Sequence, residues 1–361
     1  MSYTRQHARS SAALLLAMAL TACGGGGGGG ASGTSGAVGS SPAPAAPAPS
    51  PAPSPSPAAS GAAPAVPPPA AGTTPEPAPG SSVVCTPEDL TQPRSGAFAL
   101  INLTRLALGL PQLTRLPALD GTAQAHARYV IVNDDTGVTE SPARLCFTGT
   151  DLAQRLTAAG VVSTESPGLR QRTEIVMAYT AAAGAEPEPW AYANDMLNNL
   201  YGRIVLLDAR MQHVGLGYSA EAGGRRRALV VDTTVLAGAA LPDPNLWAVW
   251  PRDGATGLPA RMHSSDMKPL AAGLVEGYPI TLHAAAAVQV TRFVLSNASD
   301  GASVEATALT GANDRNDLLT ASEAALVPHA PLAAGTTYRV EFDGSVGATP
   351  LHLVWSFTTA P

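Results

Sequence analysis

The residues able to do chemistry in this chain are few and scattered. There are seven histidines and three cysteines in 361 residues. No Ser-His-Asp or Cys-His arrangement can be read from their spacing. Glu174 stands out because Ile175, Val176 and Met177 follow it. A carboxylate in such a run is expected to be half-buried, and a buried carboxylate must be hydrogen-bonded or shifted in pKa. Two readings of Glu174 follow, a functional acid or a structural hydrogen bond to a backbone amide. His126 lies within AQAHA and reads as a packing residue of a helix. His213 opens an apolar alternation and reads as the half-exposed first residue of a strand.

The cysteines divide as one plus two. Arg5 and Arg9 precede the apolar run AALLLAMAL at residues 12–20, too short for a membrane span of about 20 residues. A charged start followed by a short apolar core is the pattern of a secretory signal. Leu20-Thr21-Ala22-Cys23-Gly24 then resembles the bacterial lipobox, so Cys23 is the expected lipidation site and residues 1–23 the lipoprotein signal peptide. Acyl chains on one cysteine give lasting attachment at about 0.8 kcal/mol per buried methylene. Gly24, rather than Asp, after the cysteine points by the same resemblance to the outer membrane or cell surface. Cys85 and Cys146 then remain in an oxidising compartment, where a disulfide is the expected pairing.

Residues 24–82 hold 13 Gly, 15 Pro, 15 Ala and 10 Ser among 59 residues. They have almost no large apolar side chain to offset ordering entropy, so they read as a disordered linker. A 40-residue Pro-rich stretch at about 3 Å per residue could reach about 100 Å. Residues 1–82 carry two arginines and one glutamate, which leaves 19 basic against 26 acidic residues for the remainder. A mildly acidic folded part excludes non-specific nucleic-acid binding, which needs a basic face. The one basic run, Arg225-Arg226-Arg227 after Gly223-Gly224, reads as a solvated hairpin loop.

The elements that must position these residues fall into two regions. From Ser95 to Leu108, Phe98, Ile101, Leu106 and Leu108, with Leu100 and Leu103, predict an amphipathic helix capped at Ser95. Pro117 opens a second helix. A third covers 151–159. A fourth follows Pro187 and Pro189, with Trp190, Ala193, Met196, Leu197 and Leu200 on one face. HVGLGY (213–218) and ALVVDTTV (228–235) predict a hairpin. Helices first and a hairpin last imply an α+β domain over 83–240. After Leu241-Pro242-Asp243-Pro244, alternation recurs at 278–283, 288–295, 338–343 and 351–358, which predicts an antiparallel β-sandwich over 241–361.

Three segments of the first region carry a resemblance: ALINLTRLALGLPQLTRLPALDGTAQAHA, FTGTDLAQRLTAAGV and LYGRIVLLDARMQHVGLG. They resemble the bacterial CAP superfamily, which includes cysteine-rich secretory, antigen 5 and pathogenesis-related (SCP-like) proteins. The resemblance implies an α-β-α sandwich with a shallow cavity of two histidines and two acids. The first family histidine falls at Val138 or Thr139 and the second at Gly202. The first acid falls on Glu174; the second has no clear match, though Glu188 is close. Glu140 lies beside the lost first histidine. The candidate cavity is therefore Glu174, Glu140, Val138, Thr139, Tyr201, Gly202 and Arg203. Two oxygen ligands are too few for zinc, so no metal and no cofactor are expected. PLAAGTTYRVEF and LVWSFTT are similar to bacterial immunoglobulin-like domains. The expectation is a lipid-anchored, exported envelope protein, with the membrane as a partner through Cys23. Its degenerate CAP domain is non-catalytic and binds an apolar ligand, a lipid or an envelope glycan. The alternatives are an adhesive or structural surface protein, and a hydrolase using Glu174 and Glu140 as an acid/base pair.

Overall fold

A computed structural model describes Cys85 and residues 91–163, 172–180, 190–221, 226–263, 267–271 and 274–361. The signal peptide, the lipobox at Cys23, the linker, Arg225 and Glu188 lie outside the described residues. Residues 76–361 form one compact unit of mixed α/β structure with three largely antiparallel sheets.

Helix α1 (Thr91–Ala107) starts before Ser95, which is an interior residue rather than the cap. Ile101 is buried, but Leu103 and Leu106 are more than half exposed and do not join the core face expected of them. Buried Arg105 anchors this helix by donating to the carbonyls of Pro111, Leu206, Asp208 and Met211 at 2.7–3.3 Å. Strand β1 (Thr114–Arg115) precedes α2 (Pro117–Asn133), where proline at the first turn needs no amide partner. Helix α3 (Leu152–Ala158) is capped by Asp151, whose carboxylate accepts from the Gln154 amide.

Strand β2 (Arg172–Thr180) carries Glu174 and had no counterpart in the expected elements. The expected fourth helix is two: α4 (Ala191–Asn198) and α5 (Leu200–Leu206). Asn199 breaks them with extended backbone and caps α5 by accepting from the Tyr201 and Gly202 amides. The hairpin is β3 (His213–Ala220) and β4 (Arg226–Thr234). The two described arginines of the run are not in a solvated loop. Arg226 and Arg227 lie in β4, Arg227 is buried, and Arg226 pairs with Asp134 at 2.6 Å.

The first sheet has the order β1-β3-β4-β2, with β1–β3 parallel and the other pairs antiparallel. Helix α2 lies on it at very close range. A Cβ on Gly215 would sit 2.1 Å from the Leu119 carbonyl carbon, and one on Gly217 2.1 Å from that of Ala123. The VGLG pattern is thus a contact requirement: only glycine lets helix backbone and strand backbone approach this closely.

The second region builds β5 (Trp247–Trp250), β6 (Ala255–Leu258), β7 (Ile280–Ala284), β8 (Val288–Asn297), β9 (Ser303–Val304), β10 (Ala306–Thr310), β11 (Glu323–Pro328), β12 (Thr337–Val346) and β13 (Thr349–Thr359). They form sheets ordered β10-β11-β7-β5 and β6-β13-β12-β8-β9. Tyr338, Val340, Phe342, Trp355 and Phe357 point into an apolar core that also takes Ile280, Leu282 and Leu326 from the other sheet. The period-2 alternation of the sequence is therefore the core pattern.

Packing crosses the stretch where the two regions meet. Leu200, Tyr201 and Ile204 of α5 share a core with Leu309, Leu319 and Val327. No described helix is long and apolar enough to cross a membrane. Cys85 and Cys146 form a disulfide with Cα atoms 5.3 Å apart and a sequence separation of 61. Closing a loop of that size contributes about 4 kcal/mol in the chain-entropy model.

Candidate functional site

One buried cluster joins α2, α3, β2, β4 and the loop between α2 and α3. Thr122 and His126 stand one turn apart on α2, on the same helix face. Glu140 comes from the loop, Arg155 from α3, Glu174 from β2 and Asp232 from β4. The side chains of His126, Glu140, Arg155 and Glu174 are at most 2% exposed, and Asp232 is fully buried.

Glu140 is the best-held member. Its Oε1 lies 2.8 Å from His126 Nδ1, and it accepts from the Thr148 amide and hydroxyl and from the Gly149 amide. Burial alone would raise its pKa. The hydrogen bonds from His126 and Thr148 outweigh that and hold the carboxyl below its ordinary range. His126 is no mere packing residue. Its Nδ1 faces Glu140, and its Nε2 lies 3.1 Å from the Gly137 carbonyl and 3.7 Å from Glu174 Oε2.

Arg155 organises the rest. It donates to the carbonyls of Gly149 and Val138 and to Glu174 Oε2, and its Nη1 lies 3.7 Å from Glu140. Glu174 thus accepts from a guanidinium rather than from a backbone amide, the partner expected of its structural reading. Asp232 Oδ2 accepts from the Thr122 hydroxyl at 2.8 Å. Glu174 and Asp232 are directly opposed in the β2–β4 register. Burial, then the charge of Asp232, push the Glu174 carboxyl well above the carboxylate range, and burial raises Asp232 as well.

Of the other candidate residues, Val138 contributes only its carbonyl, its side chain being exposed, and Thr139 is exposed. Tyr201, Gly202 and Arg203 are buried; Tyr201 and Arg203 reach the second region instead, and Gly202 packs against Met196 of α4. Tyr201 Oη donates to Asp314 at 2.7 Å and accepts from Asn316. Arg203 donates to the Leu197 and Pro279 carbonyls and lies over the rings of Tyr278 and Trp250. Burial lowers its pKa to about 10. No histidine fits at position 202, since a Cβ there would sit 2.4 Å from the Met196 carbonyl oxygen. Among the described residues, no group of three or more His, Cys, Asp and Glu has the arrangement of a metal site.

Sequence reasoning missed His126, Arg155 and Asp232. The i, i+4 pair Thr122 and His126 on one helix face was a signal. The pairing of Glu174 with Asp232 needed a strand that the sequence did not announce.

No family model matches the chain, and no curated protein does. Solved structures that the chain matches include an outer surface protein from Borrelia burgdorferi, at 17% identity and a TM-score of 0.32, over 42% of this chain and 98% of that one. An extracellular protein containing an SCP domain from Bacillus anthracis is 20% identical, with a TM-score of 0.30, over 39% of each chain. The CAP domain of enterococcal PrgA is 17% identical, with a TM-score of 0.27, over 41% of this chain and 63% of that one. At this level the likeness carries no inference about function.

Proposed function

We propose that this is an exported, lipid-tethered envelope protein whose folded part is a non-catalytic, CAP-like binding module with a C-terminal immunoglobulin-like β-sandwich. The observation that carries the non-catalytic reading is the sealing of the acid cluster. Glu140 and Glu174 have side chains at most 2% exposed, and the ring and guanidinium between them donate inward. A general acid must come within hydrogen-bond reach of substrate, directly or through one water. A carboxylate walled in on this scale has no such reach.

The tether rests on the lipobox at Cys23 and the Gly/Pro spacer, and export is consistent with the disulfide. Val138, Leu145 and Phe147 expose apolar side chains on the loop beside Cys146. They favour recognition of an apolar or envelope component at the surface over binding in a cavity. The membrane would be engaged through the lipid on Cys23.

The test uses the full chain in a Gram-negative host fed labelled palmitate. Label in the membrane fraction, lost in Cys23→Ser, is expected; an unlabelled wild type overturns the tether. Binding of the purified chain to isolated envelope fragments should survive Glu174→Gln and Glu140→Gln. Envelope hydrolysis that either change abolishes overturns the non-catalytic reading.

A further inference from the structure

We propose that Glu174 and Asp232 share one proton across the β2–β4 pair, and that this proton latches the edge strand β2 to its sheet. In the order β1-β3-β4-β2, β2 is terminal and pairs only with β4 among the described strands. Glu174 and Asp232 are opposed residues on these strands. Directly opposed side chains have Cβ atoms about 5 Å apart, and like charges there are destabilising.

The hydrogen-bond accounting shows where a proton is needed. Glu174 Oε2 accepts from Arg155, while the one hydrogen of the Thr122 hydroxyl is shared between Asp232 Oδ2 at 2.8 Å and the Leu119 carbonyl at 2.9 Å. Glu174 Oε1 and Asp232 Oδ1 are both buried, and neither meets an N–H or O–H donor. Opposition in the β2–β4 register puts the two carboxyls side by side. Two ionised carboxylates can only repel there, whereas one proton between them makes a strong hydrogen bond. Such a proton belongs to the pair rather than to either residue.

The groups around the pair agree. Arg155 from α3 and His126 from α2 face Glu174, and Glu140 from the loop lies beside His126. A proton on the pair removes one negative charge from a site whose one fixed cation is Arg155. Helix α5 also packs on β2, but its one charged side chain, Arg203, is spent on the Leu197 and Pro279 carbonyls, and its Tyr201 on Asp314. With the proton gone, the buried cluster carries a net negative charge, and the repulsion falls on the strand that has a single neighbour.

Two measurements on the full chain test this. Infrared spectroscopy at neutral pH should show the carbonyl stretch of a protonated carboxylic acid, absent in Glu174→Gln and in Asp232→Asn. Exposed Asp and Glu are ionised there, so the wild type alone decides the first half, and absence of the band overturns the shared proton. Amide exchange should show protection of β2 falling by up to about tenfold per pH unit, relative to β3, over the range where the closed strand keeps the proton and the open strand releases it, and levelling off above that range. That fall should be lost in Glu174→Gln. Parallel loss in β2 and β3 overturns the latch.

Discussion

Two buried charge clusters in this molecule each set an arginine against aspartate and glutamate, and they differ in how fully their oxygens are satisfied. The first holds His126, Glu140, Arg155, Glu174 and Asp232 within the first sheet and its helices. The second lies where the two regions meet. There Arg210 donates to both Asp208 oxygens, to Glu323 Oε1 and to the hydroxyls of Thr320 and Ser322. Glu323 Oε2 accepts in turn from the Thr320 amide and hydroxyl. Desolvation opposes the Arg210 charge, but Asp208 and Glu323 more than offset it and raise the pKa. Each carboxylate oxygen of Asp208 and Glu323 has a donor. In the first cluster Glu174 Oε1 and Asp232 Oδ1 lack a donor, and Arg155 Nε lacks an acceptor. A saturated cluster is a fixed pin between elements. An unsaturated one has room for a proton and responds to pH.

The largest effect should come from breaking the saturated side. Arg210→Met leaves Asp208 and Glu323 buried without their cation, at a cost of about 3–5 kcal/mol in urea unfolding of the full chain. A loss well under 1 kcal/mol would show that this cluster is not a pin. The isosteric amides sharpen the contrast. Glu323→Gln turns an amide N–H₂ toward groups that are already donors and should cost about 2 kcal/mol. Glu174→Gln supplies a donor where one is missing and should cost less than about 1 kcal/mol. Equal losses in the two variants would erase the distinction.

Stability against pH should then show two limbs of opposite sign. The Glu174–Asp232 pair has raised folded pKa values, so its contribution is full below the unfolded carboxylate pKa of about 4 and falls as pH rises through the folded values. Glu140 has a lowered folded pKa, so its contribution is present above about pH 4.3 and is lost as pH falls through the folded value. Unfolding midpoints should show the falling limb above about pH 4 vanish in Glu174→Gln and the acid limb weaken in Glu140→Gln. A similarly small effect is expected at Asp151→Ala, which removes the cap of the helix carrying Arg155 and should cost about 0.5–1 kcal/mol by thermal unfolding.

Much of the scaffold was legible because local rules dictated it. Pro117 opened α2, the stretch from Asp151 read as a helix, and HVGLGY and ALVVDTTV read as a hairpin. The alternation from Tyr338 to Phe357 gave the long β12–β13 pair. The exposure of Leu103 and Leu106 was not legible, since a 3.6-residue period cannot say which part of a broad apolar face is left uncovered. Nor was β2, whose neighbour β4 is about 50 residues away in sequence.

The lipobox-like pattern at Cys23, the Gly/Pro-rich composition of residues 24–82 and the two remaining cysteines are statements of composition and order, which sequence alone carries. The cysteine pairing needed only compartment and count. What Glu174 faces was a different matter. Its partners come from positions 155 and 232, on a helix and a strand far apart in the chain, and periodicity carries no information about such contacts. Tertiary structure alone set Glu174 opposite Asp232, turned Tyr201 and Arg203 toward the second region, and made His126 part of a charged cluster. Hydrogen-bond partners of buried groups are chosen by which elements pack together, and that choice is made only when the whole unit closes.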